Sequence, residues 1–81
     1  MNKIKCTINF PTNSENIEEA DLIILPGSTG EIGVMYGHMD LVVELSDGDI
    51  RFYKNGAIKQ ILQTKGGVAQ IARDTIEIYP L

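Results

Sequence analysis

The chain has 81 residues, with seven basic against eleven acidic side chains and a formal charge of −4, a balance that argues against electrostatic capture of nucleic-acid phosphates or anionic lipid headgroups. A domain this short buries only about 60% of its unfolded surface, so binding to something larger is an expectation from the outset. No stretch approaches the roughly 20 apolar residues needed to span a bilayer, and the first residues alternate polar and apolar instead of forming a signal-peptide core.

In chain order, residues 3–10 place Lys3, Lys5, Thr7 and Asn9 on one face and Ile4, Cys6, Ile8 and Phe10 on the other. This predicts a half-buried strand at an edge or outer position of a sheet. Cys6 has no second cysteine to pair with, and its inward phase predicts a buried structural thiol in a reducing compartment. Residues 11–20 are polar and acidic and read as a connection, with weak helical character around Ile17. Residues 21–25 form an apolar run too short for a helix, a buried strand ended by Pro26-Gly27. Over residues 26–38, Gly27, Gly30, Gly33 and Gly37 punctuate a short apolar run, the pattern of a rigid folded loop.

Farther on, Leu41, Val43 and Leu45 share one predicted face, and Ser46-Asp47-Gly48-Asp49 carries turn chemistry before a strand over residues 50–54. Asn55-Gly56 predicts a type I′ hairpin turn into a returning strand over residues 57–64. Gly66-Gly67 interrupts before a strand over residues 68–72, and Arg73-Asp74 separates it from residues 75–79, where Ile76 and Ile78 share a face. Short strands with closely spaced turns indicate an all-β sandwich or barrel. No linker or repeat divides the chain, so residues 1–81 are expected to form one domain.

Candidate chemistry is sparse. Gly27, Gly30 and Gly33 lack the Lys-Ser or Lys-Thr pair and the following helix of a phosphate-binding loop. His38 is the only histidine, and a metal site would need it to meet Glu31, Asp40 or Glu44; one histidine with scattered acids is a poor metal signature. A hydrogen-bonded loop or interface histidine is the expectation instead. Ser28, Ser46 and His38 show no nucleophile-elbow spacing. No catalytic residue, cofactor or metal is therefore expected. Met35, Tyr36 and Met39 form either an adaptable apolar surface or filling beneath the loop. Arg51 is placed to pair with an acid across a sheet.

The ordered motifs Pro26-Gly27, Gly30-Glu31-Ile32-Gly33-Val34, Gly37-His38, Leu41, Leu45, Gly48, Ile50-Arg51, Gly56 and Gly66-Gly67 resemble the amino-terminal domain of the epsilon subunit of F-type ATP synthase, over nearly the whole chain. Departures from the family pattern are local: Met35-Tyr36 stands where a Leu-Pro or Tyr-Pro is usual, Asp40 and Asp47 where proline is common, Lys65 where serine is common, and Val68 in place of a larger apolar residue.

The resemblance implies a flattened β-sandwich of about ten short strands at the foot of a rotary central stalk. It implies a non-catalytic rotor subunit that binds gamma, rests on the membrane proteolipid ring, and couples proton flow to ATP synthesis at the cytoplasmic face of a bacterial inner membrane. By the same resemblance, Ser28, Thr29, Gly30 and Glu31 would face the ring, with Glu31 the candidate for polar contact, and His38, Val42 and Val43 would lie toward gamma. Family members commonly continue into a carboxy-terminal helical hairpin that inhibits ATP hydrolysis. This sequence stops at Tyr79-Pro80-Leu81, so that inhibitory function is not expected of it, and a naturally short subunit and a piece of a longer one both remain open. The alternative is a free-standing small β-barrel that binds a ligand or peptide at the glycine loop; an enzyme using His38 as a general base ranks last.

Overall fold

Two-residue alternation sets the first strand, β1 (Ile4–Asn9), of the computed structural model, which describes residues 3–81. Ile4, Cys6 and Ile8 point into the core and Lys5 points out, as a half-buried strand requires. Met1 and Asn2, where the expected alternation begins, lie outside the described residues. β1 is nevertheless not an edge. It lies between β2 (Ser14–Ala20), paired antiparallel, and β7 (Thr75–Pro80), paired parallel.

The edge is β2, the polar segment expected to be a connection. Ile17 and Ala20 are its inward residues, and a polar outer face suits a strand with water on one side. Its ladder with β1 shifts register between Ile4 and Cys6, next to Glu19 at φ 62°.

β3 (Leu22–Gly27) and β4 (Gly30–Val34) form a hairpin with Ser28 and Thr29 at its tip. Then come two long strands, β5 (Leu41–Lys54) and β6 (Ala57–Ile71), of 14 and 15 residues. The described residues thus give seven strands in the order β2-β1-β7-β6-β5-β3-β4. The all-β class and sandwich form are as expected, but the strands are fewer and longer than the expected ten or so. Two turn-like sequences account for this: residues 46–49 and Gly66-Gly67 both lie inside continuous strands, at adjoining levels of one ladder (Asp47 paired with Lys65, Leu45 with Gly67).

Those sequences mark a crease. In β5 the buried positions are Val43 and Leu45 before it and Ile50 and Phe52 after it, so the inward parity changes. β6 changes parity at the same level, from Thr64 and Gly66 to Ala69 and Ile71. The paired ribbon therefore turns over, and the β2-β1-β7 half of the sheet folds toward the β3-β4 half, with β2 packing against β5. Small residues permit the close approach: a Cβ on Gly67 would stand 2.1 Å from the Tyr79 carbonyl oxygen, and one on Gly48 3.1 Å from Pro26 Cβ.

One core results, built from inward residues of every strand, with Phe52 among the largest fully buried side chains. Thr64, buried at the crease, donates its hydroxyl to the Gly66 carbonyl at 2.6 Å and accepts from the Gly66 N–H at 3.2 Å. The β5–β6 turn is as predicted, with Asn55 at φ 54° and Gly56 at φ 79° and Lys54 paired to Ala57, the double positive φ of a type I′ hairpin. β7 runs through Pro80, which pairs with Gly67 instead of ending the strand beforehand. Among the described residues no helix is long and apolar enough to cross a membrane.

Candidate functional surface

The β3–β4 tip is held rigidly from beneath. The Ser28 N–H donates to the Glu44 carbonyl at 2.9 Å, and Gly27 and Gly30 face each other across the hairpin. Because β5 begins well before its pairing with Gly27 at Leu45, the segment from Leu41 to Glu44 projects past the end of β3. Between the two lies an open cleft of about 290 Å³ lined by Gly27, Ser28, Thr29, Ile32 and residues 41–44. A second cleft, about 380 Å³, lies on the other side of Leu41 and Val42, against Asp40 and residues 70–72.

The loop over residues 35–40 flanks this region. Its Gly37 N–H donates to the Arg73 carbonyl at 2.8 Å, and its His38 N–H to the Met35 carbonyl at 3.1 Å. His38 Nδ1–H donates to the Met39 carbonyl at 2.7 Å, which fixes the ring as a hydrogen-bonded loop histidine. Met35 and Met39 are 61% and 74% exposed, and Tyr36, Leu41 and Val42 are also exposed. The apolar side chains thus form a surface, not filling beneath the loop. An apolar grouping of this kind, flanked by polar residues, is the ordinary mark of a protein-binding site.

The residues expected to face two different partners are partly brought together. Ser28 and Thr29 share the first cleft with Val42 and Val43. Val42 projects outward, whereas Val43 is 5% exposed and its side chain belongs to the core. His38 does not line either cleft. Glu31 does not cap its own loop; its carboxylate accepts from Arg51 Nη2 at 2.5 Å, the cross-sheet pair anticipated for Arg51.

Leu41 is the residue whose place at the clefts sequence reasoning missed. Its parity matches Val43 and Leu45, yet it is 40% exposed and lines both clefts, at the start of β5 before the pairing with β3 begins. A strand start directly after a loop was the available signal. Among the described residues, no three of His, Cys, Asp and Glu gather as metal ligands would. Cys6 is fully buried, and burial, reinforced by the charge of Glu77, pushes its thiol up to about 12.

The fold and this surface define a small open β-sandwich that presents an exposed apolar face beside a hairpin tip. Its sheet is not closed, ending in β2 and β4, which removes the barrel of the alternative reading. Residues 3–79 match the family model described as ATP synthase, Delta/Epsilon chain, beta-sandwich domain. The chain belongs to that family.

Among curated relatives, the ATP synthase epsilon chain of Elusimicrobium minutum is 39% identical over 78 residues, covering 93% of this chain and 57% of that one. That of Macrococcus caseolyticus is 37% identical over 79 residues, covering 96% and 58%. The chain therefore spans little more than half the length of these relatives. A chain in the cryo-EM structure of the Euglena gracilis mitochondrial ATP synthase (OSCP/F1/c-ring) superposes with a TM-score of 0.85 at 21% identity, over 99% of this chain and 51% of that chain. At that identity the likeness is one of fold.

Proposed function

We propose that the chain is the sandwich portion of an ATP synthase epsilon-type subunit, a non-catalytic block of the central stalk that links gamma to the membrane proteolipid ring. Family membership over residues 3–79 carries this reading. The exposed apolar face supports it, since an accessory block needs surface to bind through rather than groups to react with.

In this role the whole chain acts as one domain at the cytoplasmic face of a bacterial inner membrane, held there through the complex. The hairpin tip, Ser28 to Glu31, faces the ring, and the surface at His38, Val42 and Val43 lies toward gamma, with Val42 providing side-chain contact and Val43 supporting it from the core. The pairing of Glu31 with Arg51 makes the tip a braced strut, with most of the carboxylate still open to solvent at 65% exposure.

Titration of the purified chain with the gamma subunit of the same organism tests this. Saturable one-to-one binding is expected. Absence of binding with both proteins folded overturns the reading and leaves the family membership a statement about fold.

A further inference from the structure

We propose that the open edge of β4 receives an added strand from a partner polypeptide, an extended segment with alternating apolar and basic side chains. The source of that partner rests on the stalk reading above, whereas the open edge rests on the ladder alone.

Pro26 faces Glu31 in the β3–β4 register. Proline has no N–H, so this pair is of the non-hydrogen-bonded kind, and the alternation of an antiparallel ladder makes Gly27–Gly30, Leu25–Ile32 and Ile23–Val34 the bonded pairs. The Ser46 hydroxyl donates to the Pro26 carbonyl from the β5 side at 3.1 Å, as expected when that carbonyl turns away from β4. By the same alternation the N–H and C=O groups of Glu31 and Gly33 point outward, away from β3. β4 ends the sheet, and among the described residues neither Glu31 nor Gly33 makes a backbone bond to a loop.

The two edges are unequal. β2 carries exposed Glu15 and Glu19, a positive φ at Glu19 and a register shift, devices that discourage pairing with another chain. β4 (GEIGV) has no lysine, proline or register shift, and its one charge is drawn back to Arg51. An edge left unguarded in a molecule that guards the other is suited to strand addition, where main-chain bonds give affinity and side-chain pockets give selectivity.

The cleft supplies the pocket. On an added strand bonded to Glu31 and Gly33, the residue opposite Ile32 points the same way as Ile32, which lines the first cleft with Leu41 and Val42. That position calls for an apolar side chain. Glu44, exposed and in the same cleft, and Asp40, in the neighbouring one, add carboxylates to a chain of charge −4, which selects basic flanking residues. A second copy of this chain is disfavoured on the same ground, since it would bring like charges together.

The test follows amide exchange by NMR in the whole chain, alone and with two probes: the peptide Lys-Val-Lys-Val-Lys-Val and the gamma subunit. Slowed exchange of the Glu31 and Gly33 amides with either probe supports the proposal. Gly33→Pro, which deletes an outward N–H, should leave Tm nearly unchanged and weaken that binding about tenfold or more, while Gly33→Ala, which keeps the N–H and meets only Leu22 at 3.5 Å, should bind as the native chain does. Gamma binding with both amides still exchanging freely and Gly33→Pro without effect overturns the edge proposal and leaves the stalk reading standing. Protection by the peptide with no gamma binding does the reverse. Protection that appears on concentrating the chain alone, with a dimer in sedimentation, overturns the choice of occupant.

Discussion

At Cys6 the chain's alternation alone predicts burial, and the structure adds the consequence for its chemistry. With its thiol pushed up to about 12 from an ordinary value of 9.0, the folded state holds the proton more tightly than the unfolded state. The stabilisation is complete below about pH 9 and is lost as pH rises toward 12. The Tm gap between the native chain and Cys6→Ala should therefore narrow across that range; a gap that stays constant from neutral pH to pH 11 would show that burial leaves the thiol unperturbed. Leu41 teaches the opposite lesson. Parity assigns its face correctly, but exposure depends on whether a second layer covers that point, and no local pattern encodes where β3 ends relative to β5.

The β5–β6 ribbon shows why elements were harder to read than residues. Asn55-Gly56 was legible because a two-residue turn has its own backbone demand. Ser46-Asp47-Gly48-Asp49 and Gly66-Gly67 carry equally strong turn composition, but they lie at adjoining levels of the β5–β6 ladder, so each is held extended by the strand opposite. What the composition encodes there is a crease. At Gly67, φ is +127° and a Cβ would meet the Tyr79 carbonyl at 2.1 Å, while at Gly56 there is open space around a φ of +79°. Gly56→Ala should cost about 1 kcal/mol, from backbone strain alone. Gly67→Ala should cost about 3 kcal/mol or more, because β7 must move as well. Chemical denaturation of the two variants checks this, and equal losses would mean that the crease tolerates a side chain.

Across the whole molecule, the all-β class was legible from turn spacing, but the sheet order was not, since pairing partners far apart in sequence leave no local trace. Asp21 exemplifies such long-range linkage. Sitting where the chain passes from β2 to β3, it accepts from Lys3 beside β1 and from the Asn55 N–H in the β5–β6 turn, while its own N–H donates to the Tyr53 carbonyl at 2.8 Å. The Lys3 hydrogen bond, then that of Asn55, holds its carboxyl below the ordinary 3.8. The sign is opposite to that of Cys6: the contribution is present above pH 3.8 and is lost as pH falls below it. Thermal melts of Asp21→Asn should therefore converge with those of the native chain on acidification, and parallel curves down to pH 2 would dismiss the linkage. The parallel pairing of β1 with β7 sets the order of assembly. Cys6 cannot meet Ile76 until β7 has left the ribosome, so during synthesis β1 and β2 wait for a partner that the β5–β6 hairpin, closed by local contacts, does not need. High contact order of this kind places folding in the millisecond-to-second range, and any chaperone that assists this chain before β7 emerges would meet it with its amino-terminal third exposed and its hairpin already zipped.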